Sequence, residues 1–245
     1  MNICLVIPHY NHVDAFTQFL PKLESIEIPC IIVDDGSSQE NVDAVQALLE
    51  ASTVETYFYQ HGYNRGKGAA VQTAATHARA LGFSHIIQID ADGQHDVEDV
   101  KKFITLATQY PEAIISGHPQ FDETAPKARL YGRKVTDFWV AIETLSFTIK
   151  DSLCGFRLYP LIQFEKVYDR FHIGAHMDFD TDIAVKSVWL GIPMKFVQTK
   201  VIYHENSVSH FYFLRDNILL IKLHVRLMLG MIIRLPKLLL RKCKR

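Results

Sequence analysis

Two aspartates one residue apart, Asp90 and Asp92, end the apolar run Ile86-Ile87-Gln88-Ile89 and lead into Gly93, Gln94 and His95. A buried strand that stops on such a pair sets carboxylate oxygens at a sheet edge. A hard divalent cation can be held there and can in turn grip a phosphate. The same residues also suit an acidic turn, because Asp and Gly are common turn formers. What stands at the ends of the neighbouring strands decides between these.

The first hundred residues alternate strand and helix signals. Ile3–Ile7 is a short apolar run stopped by Pro8, and residues 14–25 carry Phe16, Phe19, Leu20 and Leu23 at helical spacing. Cys30–Val33 is a second buried strand, followed by a helix over 40–51; Val54–Tyr59 is a third, followed by an Ala-rich helix over 67–82. Phe83–Ile89 is the fourth. Continuous apolar strands separated by helices imply a parallel sheet covered on both faces, and such sheets bind ligands beyond the carboxyl ends of their strands. The polar residues collect at those ends: Asn11, Asp34-Asp35, Asn64, then Asp90 and Asp92. Beyond residue 114 the pattern predicts a strand near Ile114-Ile115, a loop rich in Pro and charge, helices over 128–148 and 178–191, and a late strand over Met194–Tyr203.

In chain order the loops read Ile7-Pro8-His9-Tyr10-Asn11, Val33-Asp34-Asp35-Gly36-Ser37, Asn64-Arg65-Gly66-Lys67-Gly68-Ala69-Ala70 and Asp90-Ala91-Asp92-Gly93-Gln94-His95. They are followed by Asp151-Ser152-Leu153-Cys154-Gly155-Phe156-Arg157 and Met177-Asp178-Phe179-Asp180-Thr181-Asp182. This ordered set resembles family 2 glycosyltransferases, in particular the dolichol-phosphate mannosyltransferase-like subgroup, over roughly residues 3–210. The resemblance implies an α/β GT-A fold, a Rossmann-like, mostly parallel sheet with helices on both faces. It also implies inverting transfer of a hexose from a UDP- or GDP-sugar. Pro8, Tyr10, Asn11, Asp34, Asp35, Gly36, Asn64, Lys67, Gly68, Asp90 and Ala91 would then line the nucleotide-sugar site. Asp90, Asp92 and Gln94 would hold Mg²⁺ or Mn²⁺.

The remaining chemistry leaves alternatives open. Asp180 and Asp182 both fit a general base that deprotonates an acceptor hydroxyl, although a phosphate acceptor needs no base. Both also suit a helix N-terminus, which favours acidic residues. Arg157 joins them as a catalytic candidate. Arg133 and Arg157 could meet an anionic acceptor or the donor diphosphate, since guanidinium matches phosphate bidentately. Lys67 opens a helix where an anion is welcome. His95 suits loop support as well as metal contact, and His204 and His210 flank a polar loop that suits capping. Asp90-Ala91-Asp92-Gly93 also resembles the D-x-D-G of haloacid-dehalogenase phosphatases, but Gln94 and the fourth-strand position argue against that reading. A membrane-docked scaffold that binds nucleotide-sugar without turnover is the non-enzyme alternative.

At 245 residues the chain suits one large domain, or one domain plus a short appendage, and its 48% hydrophobic and 22% charged content is that of an ordinary globular protein, with no indication of disorder. Cys4, Cys30, Cys154 and Cys243 show no CxxC spacing, which points to a reducing compartment without a zinc site or disulfide framework. Neither a signal peptide before the first strand nor a nucleic-acid partner is expected. The net charge of −1 hides an asymmetry: residues 211–245 hold nine Lys/Arg against Asp216 alone. Arg215, Lys222, Arg226, Arg234, Lys237, Arg241 and Arg245 keep near one helical face, with Leu219, Leu220, Leu223, Leu227, Met228, Met231, Ile232 and Leu238 between them. The resemblance implies a glycosyltransferase domain over 1–210, and the spacing predicts a basic amphipathic helix over 211–245, kinked at Pro236. Such a helix would lie on an anionic membrane face at the cytoplasmic side, near a lipid-linked acceptor; the alternative is a helix packed on the body with its lysines solvated.

Overall fold

Seven strands make one sheet in the order β3-β2-β1-β4-β6-β5-β7: β1 (Ile3–His9), β2 (Cys30–Asp34), β3 (Thr56–Gln60), β4 (His85–Gln88), β5 (Ile114–Phe121), β6 (Arg157–Pro160) and β7 (Met194–Val201). The computed structural model describes residues 1–121, 125, 127–201 and 213–242. His204, His210, Cys243, Arg245 and most of the loop before residue 127 lie outside the described residues. Every strand pair is parallel except those of β6, which runs antiparallel between β4 and β5. The sheet is therefore mostly parallel, as expected. β6 was not foreseen as a strand, since its four residues read in sequence as the end of a polar motif.

Among the described residues the helices are α1 (Val13–Glu24), α2 (Gln39–Glu50), α3 (Lys67–Ala80), α4 (Val100–Gln109), α5 (Lys127–Thr144), α6 (Leu161–Arg170), α7 (Phe179–Leu190) and α8 (Phe213–Lys242). A 3₁₀ turn, Val97–Asp99, leads into α4. On one face of the sheet, Phe16, Phe19 and Leu23 of α1 and Phe103 of α4 pack against Leu5, Ile32 and Ile87. On the other, Ala70, Val71, Ala74 and Ala78 of α3 lie over Val6, Ile31 and Val33. Alanine's small side chain lets α3 approach the sheet closely, which brings its first residue to the strand ends. The chain passes from β1 out to β3, then returns to β4 on the other side of β1. That reversal opens a crevice at the carboxyl ends of β1 and β4.

α7 is buried along almost its whole length and ends on Gly191 in the left-handed conformation. It is enclosed because α8 covers it. Leu223, Leu227, Met231 and Leu238 of α8 are buried in the same core as Ile183 and Trp189, and Gly230 lets Trp189 lie against the α8 backbone. α8 is thus built into the body. Its basic residues divide. Arg234 stacks on Phe171 and Trp189 at 4.9 and 4.7 Å, and Arg241 donates to the carbonyls of Val188 and Thr144. Arg215, Lys222 and Lys237 stay exposed. Truncating Leu227 to Ala removes a fully buried side chain from this seam. Urea unfolding should show a loss of about 2–5 kcal/mol, and a change under about 0.5 kcal/mol would mean that α8 contributes nothing to the core.

Candidate active site

The first two loops are tied together by Asp34 and Asn11. His9 Nδ1 and Asp34 Oδ2 pair at 2.8 Å, Ser37 Oγ donates to Asp34 Oδ2 at 2.5 Å, and Ser37 N donates to Asp34 Oδ1 at 2.9 Å. Burial works to raise the Asp34 pKa, but His9 and the Ser37 donors outweigh it and hold the carboxyl below its ordinary range. Asn11 takes a positive φ of 49°, which Asn tolerates better than most residues. Its backbone N–H donates to Ser37 Oγ at 2.8 Å, and its side-chain oxygen accepts from Ser38 N at 3.0 Å. Pro8 and Tyr10 flank His9 and are partly exposed at this rim.

Asp35 turns to the third loop. It accepts from Arg65 N at 2.9 Å and Gly66 N at 2.7 Å, and pairs with His61 Nδ1 at 2.7 Å. His61 continues to Thr73 Oγ1 at 2.9 Å. Gly36 is where these loops cross, because a Cβ there would collide with the backbone of Tyr63 and Asn64. Asp34 and Asp35 are both buried, and neither caps α2, whose first residue follows Ser38 without a side-chain cap. Their hydrogen bonds go to holding the crevice walls in place. Asn64 stands exposed at the lip.

Lys67 reaches from the start of α3 into the crevice. Its ammonium contacts Asp90 Oδ1 at 2.8 Å and Oδ2 at 2.9 Å, and Asp180 Oδ2 at 3.0 Å. Gln88 Nε2 donates to Asp180 Oδ1 at 3.0 Å. Burial opposes charge on Lys67 and on Asp180, yet their mutual attraction wins. The Lys67 pKa is raised, and the Asp180 pKa is lowered with help from Arg157. At the start of α3, Gly68 N donates to Ala175 O at 2.7 Å and Ala69 N reaches the same oxygen at 3.4 Å. The Lys67 side chain faces the crevice beside this helix end. Gly68 itself is a close approach, with Gly174 O and Phe179 where a Cβ would point.

Asp92 Oδ1 accepts from Gln94 N at 3.0 Å in the turn after β4, and Ala91 is buried between the two aspartates. His95 Nδ1 is sealed from solvent with no hydrogen-bond partner. Burial pushes its pKa down to about 4, which keeps the imidazole neutral. Asp90 and Asp180 pull the other way, while Lys67 and Arg133 add to the drop. All of these charges are therefore within electrostatic reach of one ring.

Other expected residues stand behind this cluster. Asp182, two residues from Asp180, is fully buried and points away: Gly174 N donates to its Oδ2 at 2.8 Å, Lys186 Nζ pairs with Oδ1 at 2.5 Å, and Arg226 reaches Oδ2 at 2.9 Å. Arg157 is also fully buried. It donates to Asp180 O at 2.5 Å, Ser152 O at 2.8 Å and Ser116 Oγ at 3.1 Å. Its donors are spent on protein oxygens, so it steadies Asp180 rather than facing a ligand. Arg133 is held bidentately by Asp151 at 2.6 and 2.7 Å and stacks over Phe121.

Three participants were not singled out from sequence. Gln88 was visible only as the one polar residue in the run Ile86-Ile87-Gln88-Ile89. Gly155 was quoted as part of a motif, but its reason is spatial: a Cβ there would lie 2.5 Å from Lys67 Nζ and 3.1 Å from Asp90 Oδ2. Asp137, one turn from Arg133 on α5, accepts from Ser152 N at 3.3 Å, and burial with Asp151 nearby raises its pKa to about 6.

The sequence and the fold are each similar to those of known proteins. A dolichyl-phosphate beta-glucosyltransferase of Saccharomyces cerevisiae is 24% identical over 90% of this chain and 72% of its own length. A Trichomonas vaginalis dolichyl-phosphate beta-glucosyltransferase is 26% identical over 75% of this chain, which spans 60% of that relative. Among solved structures, glucosyl-3-phosphoglycerate synthase of Mycobacterium tuberculosis with Mn²⁺, UDP and phosphoglyceric acid superposes with a TM-score of 0.67. It is 13% identical and covers 94% of this chain and 78% of its own, a likeness of fold. The sequence profile described as Glycosyl transferase family 2 matches residues 4–177. That match runs from β1 to the threshold of α7 and takes in all four loops of the crevice, so the chain belongs to glycosyl transferase family 2 and is a glycosyltransferase.

Proposed function

We propose that this protein transfers a hexose, with inversion, from a nucleoside diphosphate sugar to the phosphate of a lipid acceptor at a membrane surface. The observation that carries the reading is the Lys67–Asp90–Asp180 cluster at the carboxyl ends of β1 and β4. It sets one cation and two carboxylates where a donor diphosphate and an incoming acceptor would meet. The dolichyl-phosphate relatives support the acceptor class. UDP, present in the mycobacterial complex, is the preferred base, with GDP as the comparison.

The donor set fits Mg²⁺ or Mn²⁺. No group of three His, Cys, Asp or Glu side chains among the described residues could hold a metal, but Mg²⁺ in nucleotide sites needs only one or two carboxylates beside waters and phosphate oxygens. Asp92 and Gln94 would hold it, with Asp90 adjoining. When bound, the ion supplies neutralisation of the charge that builds on the leaving diphosphate.

The protein's own residues do the rest. Lys67 adds a fixed positive charge beside the phosphates, while Asp34 and Asp35, with Gly36, hold the loops against which Pro8, Tyr10, Asn11 and Asn64 form the nucleoside wall. Asp180 is the base toward a hydroxyl acceptor, because its carboxylate faces Lys67 in the crevice while Asp182 is sealed behind it. A phosphate acceptor arrives ionised, and Asp180 then serves to hold Lys67 in position. Arg133, released from Asp151 or shared with it, meets the acceptor phosphate.

Membrane contact rests on α8. Opposite its docked face, Ile218, Ile221, Val225, Leu229 and Ile232 are all exposed, flanked by Lys222 and Lys237. Among the described residues, no helix is long and apolar enough to cross a membrane. A helix lying in the interface suits this pattern, each nearby cation adding about 1 kcal/mol on anionic lipid. The cytoplasmic side is in keeping with Cys4, Cys30 and Cys154, buried thiols packed as small hydrophobes.

Three measurements test this reading. Calorimetry should show UDP binding that needs Mn²⁺ or Mg²⁺ and weakens at least about tenfold in Asp92→Ala, the scale on which even supporting groups of a metal site act; no binding of UDP or of GDP with either metal would sink the proposal. Gly155→Ala drives a methyl into the Lys67–Asp90 pair. Sugar turnover should drop by about tenfold or more at a modest stability cost, whereas wild-type turnover would remove that pair from the reaction. Ile221→Glu/Leu229→Glu should abolish co-sedimentation with anionic vesicles, and retained co-sedimentation would remove α8 from the membrane contact.

A further inference from the structure

The two carboxylates that bracket Asp180 are held from behind by α8. Arg226 Nη2 lies 2.9 Å from Asp182 Oδ2 and 3.4 Å from Asp178 Oδ2. These acids also hold the chain that precedes α7. Gly174 N donates to Asp182 Oδ2 at 2.8 Å, and His176 N donates to Asp178 Oδ1 at 3.2 Å. Between them, Ala175 O accepts from Gly68 N at 2.7 Å, at the start of α3 one residue after Lys67. A single guanidinium thus closes a chain of contacts that fixes both Lys67 and Asp180.

The electrostatics explain why a cation is needed there. Asp178 and Asp182 fall one helical turn apart, and like charges at that spacing repel. Lys186 pairs with Asp182 but donates its other short bond to His172 O at 2.6 Å. Arg226 is the cation that spans both acids. It is also half-exposed and sits on the helix whose outer face is apolar. Whatever α8 rests on can therefore act on the first turn of α7.

We propose that Arg226 is a positioning residue. It ties α8 to the α7 start so that Asp180 is held toward Lys67 and Asp90, and the seating of α8 sets the reactivity of the crevice. This inference rests on the glycosyl-transfer reading above. Misplacing a reacting group by about 1 Å can cost up to about a hundredfold in rate, so the effect belongs in kcat rather than in donor binding.

The test uses the full chain with Mn²⁺ and UDP-glucose, a polyprenyl phosphate in anionic vesicles as acceptor, and melting temperature measured in parallel. Arg226→Met should lower kcat by about tenfold or more with donor KM within about twofold. Arg226→Lys should recover most of the loss, and Arg226→Met/Asp178→Asn, which removes one of the opposed charges, should recover part. The inference alone is overturned if Arg226→Met keeps wild-type kcat, if its loss follows only the folded fraction, or if neither rescue acts. A wild-type chain that turns over no donor overturns the glycosyl-transfer reading and takes this inference with it.

Discussion

The ammonium of Lys67 between Asp90 and Asp180 is the interaction on which the site depends. Asp90 comes from the end of β4 and Asp180 from the first turn of α7, some ninety residues later. Without a cation between them, two carboxylates in a poorly solvated crevice would repel and each would bear its own desolvation cost. Lys67 satisfies both, and Gln88 and the bare backbone of Gly155 leave it room. The cluster also states what the crevice is ready to receive. Its positive end can turn to a phosphate, and the carboxylates can turn to a metal or an acceptor proton.

The first turn of α7 is where structure and reaction meet. Its three acids have different environments. Asp180 faces Lys67 and the crevice, while Asp178 and Asp182 face Gly174, His176 and Arg226. Arg157 passes beneath, bonded to the Asp180 carbonyl and to Ser152. Truncation of one partner of such a buried network leaves the others charged and unpaired, which is costly. Packing of α7 against α8 therefore fixes the direction of Asp180.

α8 is apolar on two faces. One carries Leu223, Leu227, Met231 and Leu238 into the core, and the other presents Ile218, Ile221, Val225, Leu229 and Ile232 outward. The basic residues lie between, so Arg226, Arg234 and Arg241 reach inward while Lys222 and Lys237 stay out. A helix that is apolar on both sides while adjoining a charged seam suits a place between a protein body and a second apolar phase.

From the sequence by itself came the alternation of apolar runs and helical patterns, and with it the parallel half of the sheet and the edge where the loops converge. Local chemistry suffices for that: a run such as Cys30–Val33 must be buried, and Asp34-Asp35-Gly36 must end it. The D-x-D pair and the ordered loops were equally legible. The separation of Asp180 from Asp182 was not, because residues at i and i+2 on a helix look equivalent until their surroundings are known. Nor were the antiparallel insertion of β6, the burial of Arg157, or the inward turn of Arg226. Each is set by a partner 20 to 100 residues away, and spacing along the chain carries no record of which long-range partner fills a given side of an element. Tertiary packing alone decided which carboxylate faces the crevice and which holds it in place.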